Sequence, residues 1–318
     1  MPFPKLPARA AYLRLKADER NVRNVLSYQV LEGLRQQLVG YNTPPGEDKP
    51  LLLPEFKPNV LEEVFEEGPQ QGKALRERYA WLTDAEEWQR RRGSLPKVLV
   101  LRTEGPVFSA GHDLKELDGL GPEGWRTIFR RCAEVMSLLR LSPIPVVGVI
   151  HGLATAAGAQ LALATDLPVA LAKAEFQLPG MSIGLPCISP STILSRRLGD
   201  AFIYRMFALA ERVRADRLPA GAVETVPDEA ALEARVAEIV DKLANHSSGQ
   251  AQAMGKWAYW TQATIHHKFD KKINESSPDS YSAAAEWAGR AMAIHARHED
   301  SVEGRKAFLE KRAPEWRT

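Results

Sequence analysis

The chain is 318 residues long, with 42 Lys+Arg against 40 Asp+Glu, a formal net charge of +2, and 44% hydrophobic residues. That apolar fraction supports a packed core and excludes an intrinsically disordered chain. So balanced a charge gives no electrostatic reason to expect nucleic acid or an anionic membrane as the main partner.

In chain order, the basic N-terminal stretch MPFPKLPARAAYLRLK lacks the apolar core of a signal peptide. A strand is expected over 11–17. A helix is expected over 25–38, where Val25, Tyr28, Leu31, Leu34 and Leu38 recur at roughly helical spacing. Residues 41–94 then change character. Pro44-Pro45-Gly46 and Gly68-Pro69 punctuate them, and charge crowds them, from Glu62, Glu63, Glu66 and Glu67 to Arg90-Arg91-Arg92. Helical pieces at 59–67 and 74–92 carry enough apolar residues to dock but not to fold alone. The segment reads as a surface excursion, with a partner-binding arm as the sharper alternative.

From Pro96 the pattern is regular: strand 97–102, helix 125–141, strand 146–150, helix 157–165 and strand 167–171. Strands alternating with helices at this spacing indicate βαβ units and a mainly parallel sheet. No Asp, Glu, Lys or Arg occurs from Leu141 to Thr165, a length that could cross a bilayer. Pro143, Pro145, Gly148, Gly152 and Gly158 break that run into a buried strand, a turn and a helix, so no membrane span is expected. Beyond residue 212 one further strand, 222–226, precedes a largely helical region. Two divisions follow: a core of 1–212 with an insertion at 41–94, and a helical C-terminal region of 213–318.

Two small-residue loops follow strands. The first runs from Thr103 to Lys115 and contains Ser109-Ala110-Gly111-His112-Asp113; the second is His151-Gly-Leu-Ala-Thr-Ala-Ala-Gly-Ala-Gln160. Ligands in α/β sheets bind at the carboxyl ends of strands, and the free N–H groups at a helix start favour negative charge. A Ser109–His112–Asp113 triad is rejected, because residues so close in sequence rarely converge. Cys132 and Cys187 are too few for a disulfide framework, which points to an intracellular, reducing compartment. Cys132 sits in a helix beside Val135 and Met136 and reads as packing. His266-His267, and His295 with His298, lack carboxylate or Cys companions at ligand spacing, so no metal is expected. Trp257, Trp260 and Trp287 read as core or subunit interface.

Phe108-Ser-Ala-Gly-His-Asp-Leu-Lys-Glu-Leu117, followed by Pro145-Val-Val-Gly-Val-Ile-His-Gly-Leu-Ala-Thr-Ala-Ala-Gly-Ala-Gln-Leu-Ala162 and Asp166, resembles the crotonase superfamily of enoyl-CoA hydratases and isomerases. Further matches are Arg23-Asn-Val-Leu-Ser27, Gly184-Leu-Pro with Leu198-Gly199, and the tail from Glu303 to Arg312. Within the superfamily the chain is most similar to the enoyl-CoA hydratase domain-containing protein 3 group. The resemblance spans nearly everything except 41–94 and a piece near 262–285.

The fold it implies is α/β: a crotonase-like β-sheet spiral with crossing helices plus a helical C-terminal region. It also implies a homotrimer or hexamer and an acyl-CoA thioester as partner. Coenzyme A comes as part of the substrate, with no permanently bound cofactor. A mitochondrial setting is suggested by the family, with a cytoplasmic one left open. The backbone N–H groups of His112 and Ala157 would form an oxyanion hole for the thioester carbonyl. Ala110, Asp113, Leu114 and Lys115, with Phe308 and Lys311 of the C-terminal helix, would contact the coenzyme A portion, although Asp113 reads equally as a helix cap.

The departures matter as much as the matches. The two positions that hold catalytic glutamates in family hydratases are Gln160 and Gly180 here. An amide exchanges no useful proton near neutrality and glycine has no side chain, so the acid–base pair is missing. Isomerisation, decarboxylation or thioester hydrolysis is expected ahead of hydration, with Cys187 as a candidate acid or nucleophile. The alternative is a catalytically silent, CoA-ester-binding or regulatory protein.

Overall fold

The structure, a computed structural model, describes residues 3–15, 23–65, 73–263, 288–294 and 296–318. It divides into two compact units: Met1–Tyr41 with Pro96–Asn245, and Asn42–Leu95 with His246–Thr318.

In the first unit, β1 (Ala10–Arg14), β3 (Val98–Arg102), β6 (Val146–Ile150), β8 (Leu167–Leu171) and β11 (Glu224–Val226) form a sheet in that order. Every neighbouring pair is parallel. All five residues of β6 are buried, as expected of a central strand covered on both faces. Gly148 is required there, since a Cβ at that position would lie 2.5 Å from Thr165 Oγ1. Asp166 locks the return of the chain: its Oδ2 accepts from the Val146 N–H at 2.8 Å.

A second sheet, β10 (Arg212–Arg214), β9 (Glu175–Gln177), β7 (Leu153–Thr155) and β4 (Val107–Ser109), and a two-strand pair of β2 (Val25–Leu26) with β5 (Gly111–His112), complete the β structure. The expected helix over 25–38 is displaced for this reason. Val25 and Leu26 pair in parallel with Gly111 and His112, and α1 (Tyr28–Asn42) begins only after Ser27, whose Oγ accepts from the Val30 N–H. The strand expected over 11–17 is Ala10–Arg14, and the helical piece expected over 74–92 is broken by a 3-10 turn at Ala80–Leu82; from 97 to 171 the bounds agree closely, with α5 at Pro122–Leu141 and α6 at Ala157–Ala164. Strands β4 and β7 lie within the two loops expected at 103–115 and 151–160.

The boundary expected at residue 212 does not coincide with the compact units. Strand β11 pairs with β8, and α9 (Glu229–Asn245) packs on β3, β6 and β8, with Arg102 bonded to Glu233. The first unit therefore runs to Asn245.

Nor is 42–95 a loose excursion. Leu51, Leu53, Leu61, Trp81, Leu82 and Trp88 share one apolar cluster with Met254 and Trp257 of α10 (Gly249–Gln262). The Trp257 indole N–H donates to the Glu55 carbonyl at 3.2 Å. Sequence-remote halves thus bury a common core, which stabilises neither alone. Helices α2 (Lys73–Tyr79), α3 (Ala85–Arg92) and α11 (Glu299–Glu310) belong to the same unit. Trp287, His266, His267 and His295 lie outside the described residues. Among the described residues no helix is long and apolar enough to cross a membrane, and no three metal-ligating side chains cluster.

Candidate active site

The two small-residue loops meet in the first unit. A Cβ placed on Gly111 would lie 2.9 Å from the Thr155 carbonyl oxygen and 3.2 Å from the Ala157 nitrogen. One on Gly158 would lie 2.4 Å from the Ser109 carbonyl oxygen. Glycine at both positions lets the backbone of β5 and the first turn of α6 approach more closely than side chains permit. His112 and Ala157, one residue beyond Gly111 and at N1 of α6, are thereby carried on neighbouring segments.

The first loop is braced from below. Asn24, at φ +50°, donates through Nδ2 to the carbonyls of Glu104 (2.6 Å) and Val107 (2.9 Å). The Ser109 hydroxyl, fully buried, donates to the Asn24 carbonyl at 2.7 Å and accepts from the Gly111 N–H. The His112 ring sets Nδ1 3.2 Å from the Leu26 carbonyl and stands edge-on to Phe129 at 5.2 Å. Asp113 caps α4 (Leu114–Asp118), accepting from the N–H groups of Lys115 and Glu116. Ser109, His112 and Asp113 therefore face three different partners and form no triad.

Burial pushes the His112 imidazole below its ordinary value, against a smaller opposing effect of the Leu26 carbonyl. The folded protein then favours the neutral ring. The stability this contributes is complete above about pH 6.5, the ordinary histidine value, and is lost as the pH falls through it toward the depressed one. The melting temperature is expected to drop between pH 7.5 and 5.5, and His112→Gln to flatten that drop in a thermal scan.

Ala156, the N-cap of α6, holds φ +50° and ψ −122° and offers no side-chain cap. Its own N–H donates to the Gln177 carbonyl at 2.9 Å. The first N–H groups of a helix have no partner within it, and Ala157, at N1 of α6, is among them. A non-glycine residue held in the Ala156 conformation stores about 1–3 kcal/mol of strain. Ala156→Gly is expected to raise stability in urea by about 1 kcal/mol, after the greater unfolded-state freedom of glycine is subtracted.

Gln160 lies one turn further along α6 and is 3% exposed. Its Nε2 donates to the Ser189 carbonyl (3.3 Å) and hydroxyl (3.2 Å), whereas its Oε1 is buried with no hydrogen-bond partner. Gly180 sits at the start of a 3-10 turn, Pro179–Ile183. A Cβ there would lie 2.1 Å from the Leu185 carbonyl oxygen and 2.9 Å from Cys187 Sγ. The returning loop fills the space a side chain would need.

Cys187 is the N-cap of α7 (Ile188–Leu198) and is buried. Burial raises its thiol above the ordinary range, partly offset by the Gly180 N–H. At neutral pH it is an S–H group, which weakens the nucleophile role and leaves that of a proton donor. Burial pushes the Cys132 thiol up to about 12, in keeping with packing.

Of the remaining sequence-derived candidates, Ala110 lies beside this loop, its N–H donating to the Arg23 carbonyl at 3.0 Å. Leu114 and Lys115 are exposed on α4. Phe308 and Lys311 belong to the second unit, on and just past α11, with Phe308 82% exposed. Sequence reading missed Ala156, Ser189 and the bracing by Asn24. Alanine and serine give no signal of such roles, whereas an asparagine is a known tenant of positive φ.

Residues 87–318 match the family model described as enoyl-CoA hydratase/isomerase. The chain is 36% identical over 222 residues to enoyl-CoA hydratase domain-containing protein 3, mitochondrial, of Rattus norvegicus, covering 69% of each. It is 34% identical to the Homo sapiens protein of that name, covering 69% of this chain and 68% of the other. Among solved structures, that of human enoyl coenzyme A hydratase domain-containing protein 3 superposes with a TM-score of 0.70 at 27% identity, covering 98% of both chains. An enoyl-CoA hydratase of Mycobacterium smegmatis gives 0.68 at 29% identity, covering 99% of this chain and 98% of the other.

Proposed function

The chain belongs to the enoyl-CoA hydratase/isomerase family, and we propose on that footing that it binds a fatty acyl- or enoyl-CoA thioester and holds the thioester carbonyl on the backbone N–H groups of His112 and Ala157. The observation that carries this reading is the close approach of Gly111 to the Ala157 nitrogen. Two fixed N–H donors in a water-poor site stabilise negative charge developing on the carbonyl oxygen, and need no side chain to do so. Lys115, exposed on the same loop, is available to the phosphates of coenzyme A, with Ala110 and Leu114 lining the thioester arm. Lys311 and Phe308 of a neighbouring subunit complete that contact in a homotrimer or hexamer. The protein is mitochondrial in this reading, like the rat and human relatives it matches.

Side chains limit the chemistry. Gln160 and Gly180 cannot activate a water, so hydration is disfavoured. Decarboxylation asks least of the site. The C–C bond to the departing carboxylate breaks, carbon dioxide leaves, and the electron pair stays as an enolate held by the two N–H groups. The Cys187 S–H or a water then delivers the proton to carbon 2. Double-bond isomerisation and thioester hydrolysis need an additional base or an activated water. A catalytically silent acyl-CoA binder is the second reading, favoured by the burial of Cys187 and the tethering of Gln160 to Ser189.

Calorimetric titration with butyryl-, crotonyl-, 3-enoyl- and malonyl-CoA esters, followed by product analysis of the same samples, tests both. Binding with conversion of at least one ester supports the enzyme. Binding without conversion across crotonyl-, 3-enoyl- and malonyl-type esters supports the silent binder. Absence of binding overturns the acyl-CoA reading altogether.

A further inference from the structure

Strand β1 is the outer strand of the five-stranded sheet, and its open edge is covered by side chains of α1. The Gln37 amide donates to the Arg14 carbonyl at 2.8 Å and accepts from the Arg14 N–H at 2.9 Å, and the Tyr41 hydroxyl donates to the Tyr12 carbonyl at 3.0 Å. These groups stand where a neighbouring strand would pair, so the edge is closed to an added strand. Residues 3–6 return alongside β1, tied by the Tyr12 hydroxyl, which donates to the Pro4 carbonyl at 2.8 Å. Residues of this return, of β1 and of α1 line a groove of about 500 Å³, a volume within the range of small-molecule sites. None of its lining residues belongs to the loops at 103–115 and 151–160.

Two guanidinium groups lie over the ring of Phe3: that of Arg102 at 5.3 Å from the ring centre and that of Arg14 at 5.2 Å, the latter also 5.5 Å from the ring centre of Tyr12. A guanidinium held on an aromatic face keeps its N–H fork for an oxyanion. Arg102 spends its fork on Glu233, with one Nη on each carboxylate oxygen. Arg14 rests on the same ring without such a partner. Among the described residues neither its guanidinium nor the Lys5 ammonium group, also on the groove, forms an ion pair. No Asp or Glu lines the groove to oppose an incoming anion.

We propose that this groove is a second ligand site, which takes a small oxyanion, a phosphate monoester or a carboxylate on an apolar body, with Arg14 as its two-pronged anchor and Lys5 as a supporting charge. The paired Arg102 shows what the Arg14 fork is suited to accept: a planar carboxylate or a tetrahedral phosphate meets two parallel N–H donors. An ordinary exposed ion pair gains little, because two long side chains must give up their freedom to form it. Here the rings of Phe3 and Tyr12 already hold the guanidinium, and Gln37 holds the backbone that carries it, so little freedom is left to lose when the anion arrives. Leu6 and Ala10 offer apolar surface to the remainder of the ligand. The closed edge of β1 excludes an extended peptide pairing with the sheet, which makes the occupant a small molecule.

The test titrates phenyl phosphate, benzoate and the uncharged benzyl alcohol into the wild-type chain, Arg14→Met and Arg14→Lys at low salt, followed by ligand-observed magnetic resonance. At least one of the two anions is expected to bind the wild type about tenfold more tightly than Arg14→Met, the loss of a charged hydrogen-bonding partner. Arg14→Lys, which keeps the charge and loses the fork, is expected to fall between them, and wild-type binding to weaken as salt is raised. A preference for phenyl phosphate assigns a phosphorylated ligand, and a preference for benzoate a carboxylate. Arg14→Met keeps an unbranched apolar chain on the two rings, so its thermal melt is expected close to that of the wild type. Anion binding that is equal in the wild type and Arg14→Met overturns the site, as does anion binding no tighter than that of benzyl alcohol. Butyryl-CoA is expected to bind the wild type and Arg14→Met alike. A matching loss of butyryl-CoA binding would make Arg14 part of the acyl-CoA site and overturn the assignment of a second one.

Discussion

Ala157→Pro is expected to lower turnover of any converted acyl-CoA by about 10²–10³-fold, the loss that follows removal of one oxyanion donor. Proline deletes the N–H and nothing else that the proposed chemistry uses. Position N1 is also where a helix tolerates proline best, since that N–H has no partner inside the helix. The preceding residue is the difficulty. Ala156 already holds φ +50° and ψ −122°, and proline restricts the residue before it. A second replacement removes the ambiguity: lactic acid at position 157 exchanges the N–H for an ester oxygen and leaves every other atom in place. Both variants are expected to keep the far-ultraviolet circular dichroism of the wild type. A folded ester variant with undiminished turnover would show that the Ala157 N–H does not meet the carbonyl.

Gly180→Ala is expected to destabilise the chain by about 1–3 kcal/mol, as overpacking does in a rigid interior, and Gly180→Glu to do so at least as severely. The added Cβ would meet a backbone carbonyl, that of Leu185 at 2.1 Å, and not the yielding end of a side chain. Glutamates placed at both positions that the resemblance marks therefore fail as a pair: Gln160→Glu/Gly180→Glu is expected to gain no hydration of crotonyl-CoA. Each absent carboxylate accounts for about 10²–10⁴ in rate, so recovery would be large enough to detect easily. Urea titration of Gly180→Ala checks the packing, and the absorbance decay of crotonyl-CoA checks the chemistry. A stable Gly180→Glu chain that hydrates crotonyl-CoA would mean that the loop over Gly180 yields freely.

Why the loop closes over that position was invisible in the sequence. That position 180 is a glycine, where the resemblance leads one to expect a glutamate, can be read from one letter. That the Leu185 carbonyl and the Cys187 thiol occupy the space is a property of the backbone path between Pro179 and Cys187. The central sheet was legible for the opposite reason: β6 and β8 are continuous apolar runs bounded by proline, glycine and Asp166, and burial on both faces leaves that mark on composition. Strands such as Val107–Ser109 and Arg212–Arg214 are too short for any alternation to register. The second unit was missed because its core joins Trp81 and Trp88 to Trp257 across more than half the chain, and periodicity carries no information about partners that remote. His112 and Ala157 emerged from family resemblance alone. Neither is a residue type that advertises a backbone role, and the closeness of Gly111 to the Ala157 nitrogen is the observation that supports the proposed one.

The most direct measurement is the carbonyl stretch of [1-¹³C]butyryl-CoA by isotope-edited infrared difference spectroscopy, free and bound to the wild-type chain. Two backbone donors on the thioester oxygen withdraw electron density from the C=O bond, so the bound band is expected at lower wavenumber, with the shift reduced in the position-157 ester variant. A bound ligand whose carbonyl band stays where it lies in water, or shifts equally in both proteins, would contradict the oxyanion hole.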